Sequence, residues 1–132
     1  KWGIYELKTY HSFADRVHKV KEDVLDLIES INRKKYKIGA FGAPAKGNTL
    51  LNFFNIDSKQ IRFIAENNIE KIGLFTPGSH IPIISDEDFL NEMPEYALLL
   101  SWNYADFFLE NSNYIKNGGK FIIPLPDLSI KP

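Results

Sequence analysis

Cysteine is absent from this sequence, and so is an excess of charge of either sign. The 132 residues include 16 Lys or Arg and 17 Asp or Glu, which gives a formal net charge of -1. Without cysteine the chain can form neither a disulfide nor a thiolate nucleophile, and it cannot build a cysteine-ligated zinc site. A charge balance this close to zero creates no overall field to attract nucleic acid or an anionic membrane, although a local basic site remains compatible with it.

Long apolar runs are absent too. A transmembrane helix needs about 20 consecutive apolar residues, no run in the sequence approaches that length, and no signal peptide is recognisable at the start. We therefore expect a cytoplasmic protein without a membrane or nucleic-acid partner. The first residue is Lys1 rather than Met, so we interpret the sequence as a piece of a longer polypeptide, with a processed mature protein as the alternative.

The residues that are present fit one domain. Hydrophobic residues make up 44% and charged residues 25%, which is ordinary for a globular domain of this length. We predict that residues 1–10 are extended, that residues 1–11 belong to a preceding domain or linker, and that residues 12–132 form a single domain. Ser12 is predicted to cap a helix that ends near Arg33, because apolar residues recur across it at helical spacing. We favour a helix that covers a sheet; the alternative is a partner-binding or interdomain helix.

Strands and helices alternate after this first helix. Strands are predicted at Lys37–Phe41, Ile61–Ala65, Ile81–Ile84, Tyr96–Leu100 and Phe121–Ile123, and helices at Asn48–Phe54, Asp86–Asn91 and Tyr104–Tyr114. Pro82 indicates that the third strand lies at an edge or a strand end. The alternation predicts an α/β fold, with a Rossmann-like parallel sheet of about five strands and helices on both faces in three α/β/α layers.

Open α/β sheets bind ligands outside the carboxyl ends of their strands. Three predicted loops meet this description: Gly42–Thr49, Glu66–His80 and Ser101–Tyr104. The first of them, with the sequence GAPAKGNT, joins a buried strand to a helix. Its small residues would let a ligand approach the backbone, the N–H groups at the helix start can hold an anion, and Lys46 adds a positive charge. The alternative is a tight strand-to-helix turn without a ligand.

Two well-known phosphate-binding motifs do not match this loop. The nucleoside-triphosphate motif G-x-x-x-x-G-K-[ST] requires a Lys after its second Gly, but Lys46 precedes Gly47. The dinucleotide motif G-x-G-x-x-G fails because Gly39 and Gly42 are separated by two residues instead of one. A nucleotide triphosphatase and an independent dehydrogenase are therefore disfavoured.

Other polar and aromatic residues of these loops are candidates for substrate binding. Glu66 ends the second strand, where a ribose-binding acid would lie, although it could also be a solvated loop carboxylate. His80 could act as an acid, a base or a donor, and Trp102 could either stack on a base or sugar ring or pack under a helix. No catalytic set or metal motif is recognisable. The predicted substrate-binding residues are Gly42, Ala43, Pro44, Ala45, Lys46, Gly47, Asn48, Glu66, Thr76, Gly78, His80, Trp102 and Asn103.

Four sequence blocks together resemble a known family. They are Gly42–Asn52 (GAPAKGNTLLN), Thr76–Pro82 (TPGSHIP), Leu100–Asp106 (LSWNYAD) and Gly118–Pro126 (GGKFIIPLP). As a set, and in this order, they resemble the C-terminal domain of sugar C-methyltransferases, over nearly the whole chain from the first helix onward. The segment Glu66–Gly73 departs from the family pattern, since Glu stands at its start where Asp is usual.

The resemblance implies one part of a larger enzyme. Such enzymes have an N-terminal zinc-binding domain and a middle domain that binds S-adenosylmethionine, and they methylate a carbon of a nucleotide-linked deoxysugar. This chain would support that nucleotide sugar, next to the preceding methyltransferase domain, without being catalytic alone or binding a cofactor itself. Backbone N–H groups of Ala45–Asn48 would orient the substrate, with Lys46, His80 and Asn103 as polar contacts. The alternative is a purely structural module that packs on the catalytic domain.

Overall fold

The structure is a computed structural model that describes residues 2–42, 45–125 and 127–132, with side chains described for residues 14–42, 47–125 and 127–132. Within these ranges lie the helices α1 (Trp2–Arg33), α2 (Ala45–Phe53), α3 (Asp86–Glu92), α4 (Ala105–Asn111) and α5 (Asn113–Lys116), and a single 3-10 turn (Trp102–Tyr104). The strands are β1 (Ile38–Phe41), β2 (Ile64–Glu66), β3 (Ile83–Ser85), β4 (Tyr96–Leu99), β5 (Lys120–Ile123) and β6 (Ser129–Lys131). No helix in the described ranges is both long enough and apolar enough to cross a membrane.

The strands form one sheet in the order β3-β2-β1-β4-β5-β6. Every neighbouring pair from β3 to β5 is parallel, whereas β6 pairs antiparallel with β5. The predicted Rossmann-like parallel sheet is confirmed, and β3 lies at its edge as Pro82 indicated. The sixth strand was not predicted, because Ser129–Lys131 is short and mostly exposed and so shows no apolar pattern.

Alternating strand residues supply two apolar clusters, one on each face of the sheet. In β1, Ile38 and Ala40 belong to the cluster under α1 and α2, while Phe41 packs in the cluster under α3, α4 and α5. In β4, Leu98 faces the first cluster and Leu99 the second. Side chains of successive strand residues point to opposite faces, so these strands are covered on both sides. The three-layer α/β/α arrangement is therefore confirmed.

Helix α1 covers the first face of the sheet. Val24, Ile28 and Ile31 are 0%, 1% and 4% exposed, and burying such a side chain contributes about 1.5–3 kcal/mol. The prediction of a covering helix is confirmed, but its start is not. The helix begins at Trp2, so the extended conformation predicted for the first residues is wrong. That segment has no Pro and a single Gly, and nothing in it ends a helix.

The connection from β2 to β3 contains no helix. Gly73–Phe75 runs back antiparallel to the start of β3, since the Gly73 N–H donates to the Ile83 carbonyl (2.9 Å) and the Ile83 N–H donates to the Leu74 carbonyl (2.9 Å). A tight turn at Thr76–His80 then leads into β3. This turn therefore lies at the amino-terminal edge of the sheet, opposite the edge where the parallel strands end.

Two serines set helix boundaries after β3. Ser85 caps α3 as predicted, because its hydroxyl accepts a hydrogen bond from the Asp88 N–H at 3.1 Å. Ser112 is extended (φ -74°, ψ 128°) and accepts from the Tyr114 N–H at 3.2 Å. It divides the single helix predicted for Tyr104–Tyr114 into α4 and α5.

Candidate functional site

The strand order places a switch point between β1 and β4. These strands are neighbours at the centre of the sheet, with Phe41 paired to Leu99, and the chain leaves them in opposite directions, toward β2 and toward β5. The two connecting loops therefore diverge at the carboxyl edge and leave a crevice between them, which is where open α/β sheets bind ligands. The loop Gly42–Thr49 follows β1 and the loop Ser101–Tyr104 follows β4, so the structure brings both predicted loops to this crevice.

The loop after β1 is short and leads directly into α2. Gly42 has φ 82°, a left-handed conformation that favours glycine, and α2 begins at Ala45. Ala43 and Pro44 lie outside the described residues, as do the side chains of Ala45 and Lys46. The backbone of Ala45–Asn48 forms the first turn of α2, and the N–H groups of a first turn have no partner within the helix. The helix start can therefore hold an anion.

Asn48 is an unusual residue in this first turn. The residue is half-buried, and its Oδ1 atom is buried without a hydrogen-bond partner among the described residues. An unpaired buried polar atom costs about 1–3 kcal/mol. Gly47 beside it is buried. The first turn of α2 therefore carries an acceptor that a ligand hydroxyl or amide could satisfy.

Trp102 and Asn103 follow β4 in the 3-10 turn. Trp102 is half-buried and packs against both apolar clusters, while Asn103 is exposed. The sequence left packing and ligand stacking open for Trp102. Its contacts establish packing, and its remaining exposed surface lines a groove.

This groove has a volume of about 1180 Å³. Its walls are formed by residues of α1 between Arg16 and Asp23 and by residues of α2 between Thr49 and Phe54, together with Trp102, Asn103, Leu125, Asp127 and Leu128. Because β4 and β5 both end at the carboxyl edge, the groove opens beside the switch-point crevice. Its floor is largely apolar, and its rim carries charges of both signs, including the ion pair between Lys19 and Asp23 (3.7 Å). The sequence pattern gave no sign of this groove.

Glu66 ends β2 at the same edge of the sheet. Its Oε1 accepts hydrogen bonds from the N–H groups of Asn67 (3.0 Å) and Asn68 (3.2 Å), so the carboxylate shapes its own turn. Asp86 lies close enough to Glu66 for the two carboxyl groups to interact electrostatically. Burial raises the pKa of Asp86, and the negative charge of Glu66 raises it further. Two carboxylates therefore lie near each other at the ends of β2 and β3.

The structure does not bring the turn Thr76–His80 to this edge, contrary to the expectation for the loop Glu66–His80 as a whole. Thr76 is buried, and its Oγ1 accepts from the Ile81 N–H (2.9 Å) and is hydrogen-bonded to the hydroxyl of Ser79. His80 has φ 56° and stacks on Phe75, with ring centroids 4.4 Å apart. The expectation failed because the connection crosses from the carboxyl end of β2 to the amino end of the parallel strand β3, so its last residues lie at the amino edge.

Gly78 lies in this turn and meets the far end of α2. The Asn52 Nδ2 donates to the Pro77 carbonyl at 3.3 Å, and a Cβ atom on Gly78 would come within 2.3 Å of the Asn52 Oδ1. Sequence reasoning did not select Asn52, although it ends the block GAPAKGNTLLN. No group of three or more His, Cys, Asp or Glu side chains is placed to hold a metal ion in the part of the chain that the structure describes.

Comparison with known proteins identifies the family of this chain. The family model described as the C-methyltransferase C-terminal domain matches residues 1–126. The C-methyltransferase NovU of Streptomyces niveus is 38% identical to this chain over 126 residues. Those residues are 95% of this chain and 30% of NovU, so the chain spans less than a third of the curated relative that it matches. The resemblance carried by the four sequence blocks is confirmed, and the chain belongs to the C-methyltransferase C-terminal domain family.

Proposed function

We propose that this chain is the domain of a sugar C-methyltransferase that binds and orients a nucleotide-linked deoxysugar, without transferring a methyl group alone. The observation that carries the proposal is that the GAPAKGNT loop of a C-methyltransferase domain coincides with the switch point between β1 and β4. A substrate held there would be presented to a preceding methyltransferase domain. S-adenosylmethionine supplies the methyl group in such enzymes, and in this proposal the preceding domain binds it.

The diphosphate of the substrate would lie at the amino end of α2. The first-turn N–H groups of Ala45–Asn48 and the helix dipole favour an anion by about 0.3–1 kcal/mol, and by up to about 2 kcal/mol where the site is partly buried. Lys46 adds a full positive charge to the same turn. Gly42 and Gly47 keep the surrounding backbone free of side chains that would hold the phosphates away.

The sugar would extend from the diphosphate across the crevice. The Oδ1 of Asn48, which accepts no hydrogen bond from any residue that the structure describes, could accept one from a sugar hydroxyl. Asn103 offers a further amide from the opposite loop, and Glu66 lies where an acid can accept from ribose hydroxyls. The proposal requires no catalytic group in this chain.

A titration tests the proposal directly. The ¹⁵N-labelled chain is titrated with a nucleoside diphosphate sugar, and we expect the amide resonances of Gly42, Gly47 and Asn48 to move. Lys46→Ala should weaken binding roughly tenfold, equivalent to about 1.4 kcal/mol. Lys59→Ala is the matched control, because it removes the same charge from the turn before β2, at the other edge of the sheet.

Two results would count against the proposal. If these resonances do not move at millimolar ligand, the chain does not bind the nucleotide sugar by itself. If inorganic pyrophosphate gives the same affinity as the nucleotide sugar, the site holds an anion and does not recognise the sugar nucleotide.

A structural role is the second candidate, and exposed apolar side chains favour it. Ile69 is 85%, Tyr104 67% and Phe107 60% exposed, and all three follow strands that end at the carboxyl edge. Such side chains are typical of a surface that another domain covers. Normal activity of a full-length enzyme with both Lys46→Ala and Asn48→Ala would favour a scaffold over a substrate-binding domain.

A further inference from the structure

Two of the sequence blocks lie at opposite edges of the sheet and yet touch each other. Helix α2 starts beside the switch point and ends at the amino edge, where the turn Thr76–His80 also lies. There the Asn52 side chain donates from Nδ2 to the Pro77 carbonyl at 3.3 Å. The end of the block GAPAKGNTLLN therefore meets the block TPGSHIP directly.

A glycine, Gly78, stands at this contact. Gly78 has φ 79°, and an added Cβ would lie 2.3 Å from Oδ1, 3.0 Å from Cγ and 3.1 Å from Nδ2 of Asn52. The exposed Asn52 amide therefore contacts the backbone of the turn, and a side chain at position 78 would displace it. Gly73, in the same connection, has φ 90° with no atom within 4 Å of the equivalent position.

The turn itself is held firmly. The Thr76 N–H donates to the Ile81 carbonyl (2.9 Å) and the His80 N–H donates to the Thr76 carbonyl (2.9 Å). The buried Thr76 hydroxyl is engaged by both Ser79 and the Ile81 N–H. The Pro77 carbonyl therefore has a fixed position relative to β3, and it can act as a reference point for α2.

On the face of α2 turned toward the sheet, Leu50, Leu51 and Phe54 are 5%, 0% and 2% exposed. Apolar packing is non-directional, so it holds the helix against the sheet more firmly than it fixes its rotation. A hydrogen bond has directional requirements. Asn48 and Asn52 are four positions apart and so lie on one stripe of the helix. Any rotation of α2 that moves one of them moves the other.

We propose that Asn52 and the turn Thr76–His80 are a positioning device that sets the rotation of α2, and thereby aims the Asn48 amide at the switch point. Gly78 belongs to this device rather than to the substrate site. The inference rests on the proposed binding role only where ligand affinity is measured.

The first test needs no ligand. In Gly78→Ala, the free chain should show displaced amide resonances for Gly47 and Asn48, whereas Gly73→Ala should leave them in place. Both variants place an alanine in a left-handed conformation and so carry similar backbone strain. Only Gly78→Ala also disturbs the contact with Asn52, so Gly73→Ala serves as the control for strain. Thermal melting identifies any variant that fails to fold, and Asn52→Ala, which carries no backbone strain, gives the same test independently.

Asn52→Ala should displace the same resonances, and the double variant Asn52→Ala/Gly78→Ala should add little to either single change, because both remove one contact. Independent, additive displacements would overturn the inference, as would a Gly78→Ala spectrum at Gly47 and Asn48 that matches Gly73→Ala.

The second test measures affinity for a nucleoside diphosphate sugar. Gly78→Ala and Asn52→Ala should each weaken binding roughly threefold to tenfold, and Lys59→Ala, in the turn before β2, should not. If the parent chain binds no nucleotide sugar, the proposed function fails while the resonance test still decides the positioning role. Unchanged affinity in both variants with displaced resonances would overturn the link between helix rotation and binding.

Discussion

Asn48 lowers the stability of the chain, and in the proposed function it binds the substrate. Its Oδ1 is buried and has no hydrogen-bond partner within the described part of the chain, and Asn is also a weaker helix former than Ala. Residues that lower stability without a structural reason are typical of binding sites. Asn52, four positions later in the same helix, can be compared with Asn48, because the Asn52 side chain has a hydrogen-bond partner in the Pro77 carbonyl.

We expect Asn48→Ala to raise the free energy of unfolding by about 0.5–1 kcal/mol, since it removes an unpaired polar group and improves helix propensity. It should also weaken binding of a nucleoside diphosphate sugar. Urea denaturation and a binding titration measure the two effects. Asn52→Ala is the matched control and should gain less stability, because it loses a hydrogen bond. A destabilised Asn48→Ala would mean that this oxygen has a structural partner.

Gly119 and Gly118 form a second matched pair. A Cβ on Gly119 would lie 2.3–2.5 Å from ring atoms of Tyr114, whereas Gly118 has φ 96° and open space. Tyr114 is 1% exposed, and its hydroxyl donates to the Pro94 carbonyl at 2.8 Å. Burial is the main reason that the pKa of this hydroxyl lies above its usual value.

We expect Gly119→Ala to cost about 2–4 kcal/mol, because a buried aromatic ring must move. Gly118→Ala should cost only about 1 kcal/mol, from left-handed strain. Thermal or urea unfolding of both variants measures the difference. Equal losses would show that the Tyr114 ring can shift freely.

Asp86 gives a prediction that depends on pH. Its folded pKa is raised above 3.8, first by burial and then by the charge of Glu66. A raised pKa means that the folded state holds the proton more tightly than the unfolded state. The contribution of Asp86 to stability is therefore full below pH 3.8 and is lost as the pH rises through its folded pKa. Carboxyl ¹³C titration should find this raised pKa, and Glu66→Gln should lower it. A pKa unchanged by Glu66→Gln would leave burial as its cause.

At the scale of elements, strong apolar patterns correctly predicted the central strands and the first helix. The strands around Ile38–Phe41 and Tyr96–Leu99 and the stripe of α1 were correct because both faces of the sheet must be covered. Errors arose where no apolar pattern operates, as at the exposed strand β6. The turn Thr76–His80 was misplaced because the loop Glu66–His80 was assigned to the carboxyl edge as a whole, whereas its last residues lead into the parallel strand β3 and so lie at the amino edge. The contact between Asn52 and Gly78 depends on backbone geometry and could not be predicted.

The role of α1 as a covering helix is testable with neighbouring residues. Ile28 is 1% exposed, whereas Leu27 is only half-buried. Ile28→Ala should cost about 2–5 kcal/mol, and Leu27→Ala should cost clearly less. Urea denaturation of the two variants provides the measurement. Similar losses would show that both flanks of α1 are equally enclosed.

At the scale of the whole molecule, the proposed structural role predicts that the exposed aromatic side chains beside the crevice contact another domain. Tyr104→Ser and Phe107→Ser should leave the free energy of unfolding of this chain within about 0.5 kcal/mol, because neither residue is buried. In a full-length enzyme the same changes should lower the denaturation midpoint or the rate of methyl transfer. Trp102→Ser is the contrast, since its packing against both clusters predicts a loss of stability in the chain alone. Unchanged full-length behaviour would mean that this surface stays in contact with solvent.

The central position of β1 and β4 in the sheet affects where local unfolding begins. Each of these strands is paired on both sides, while β3 and β6 are paired on one side within the sheet. Amide hydrogen exchange commonly reveals local opening that starts at frayed edges and termini and leaves core strands protected longest. Transient detachment of an edge strand can therefore occur while the two strands that carry the crevice stay paired. The crevice is attached to the part of the sheet that should be the last to exchange its amide hydrogens.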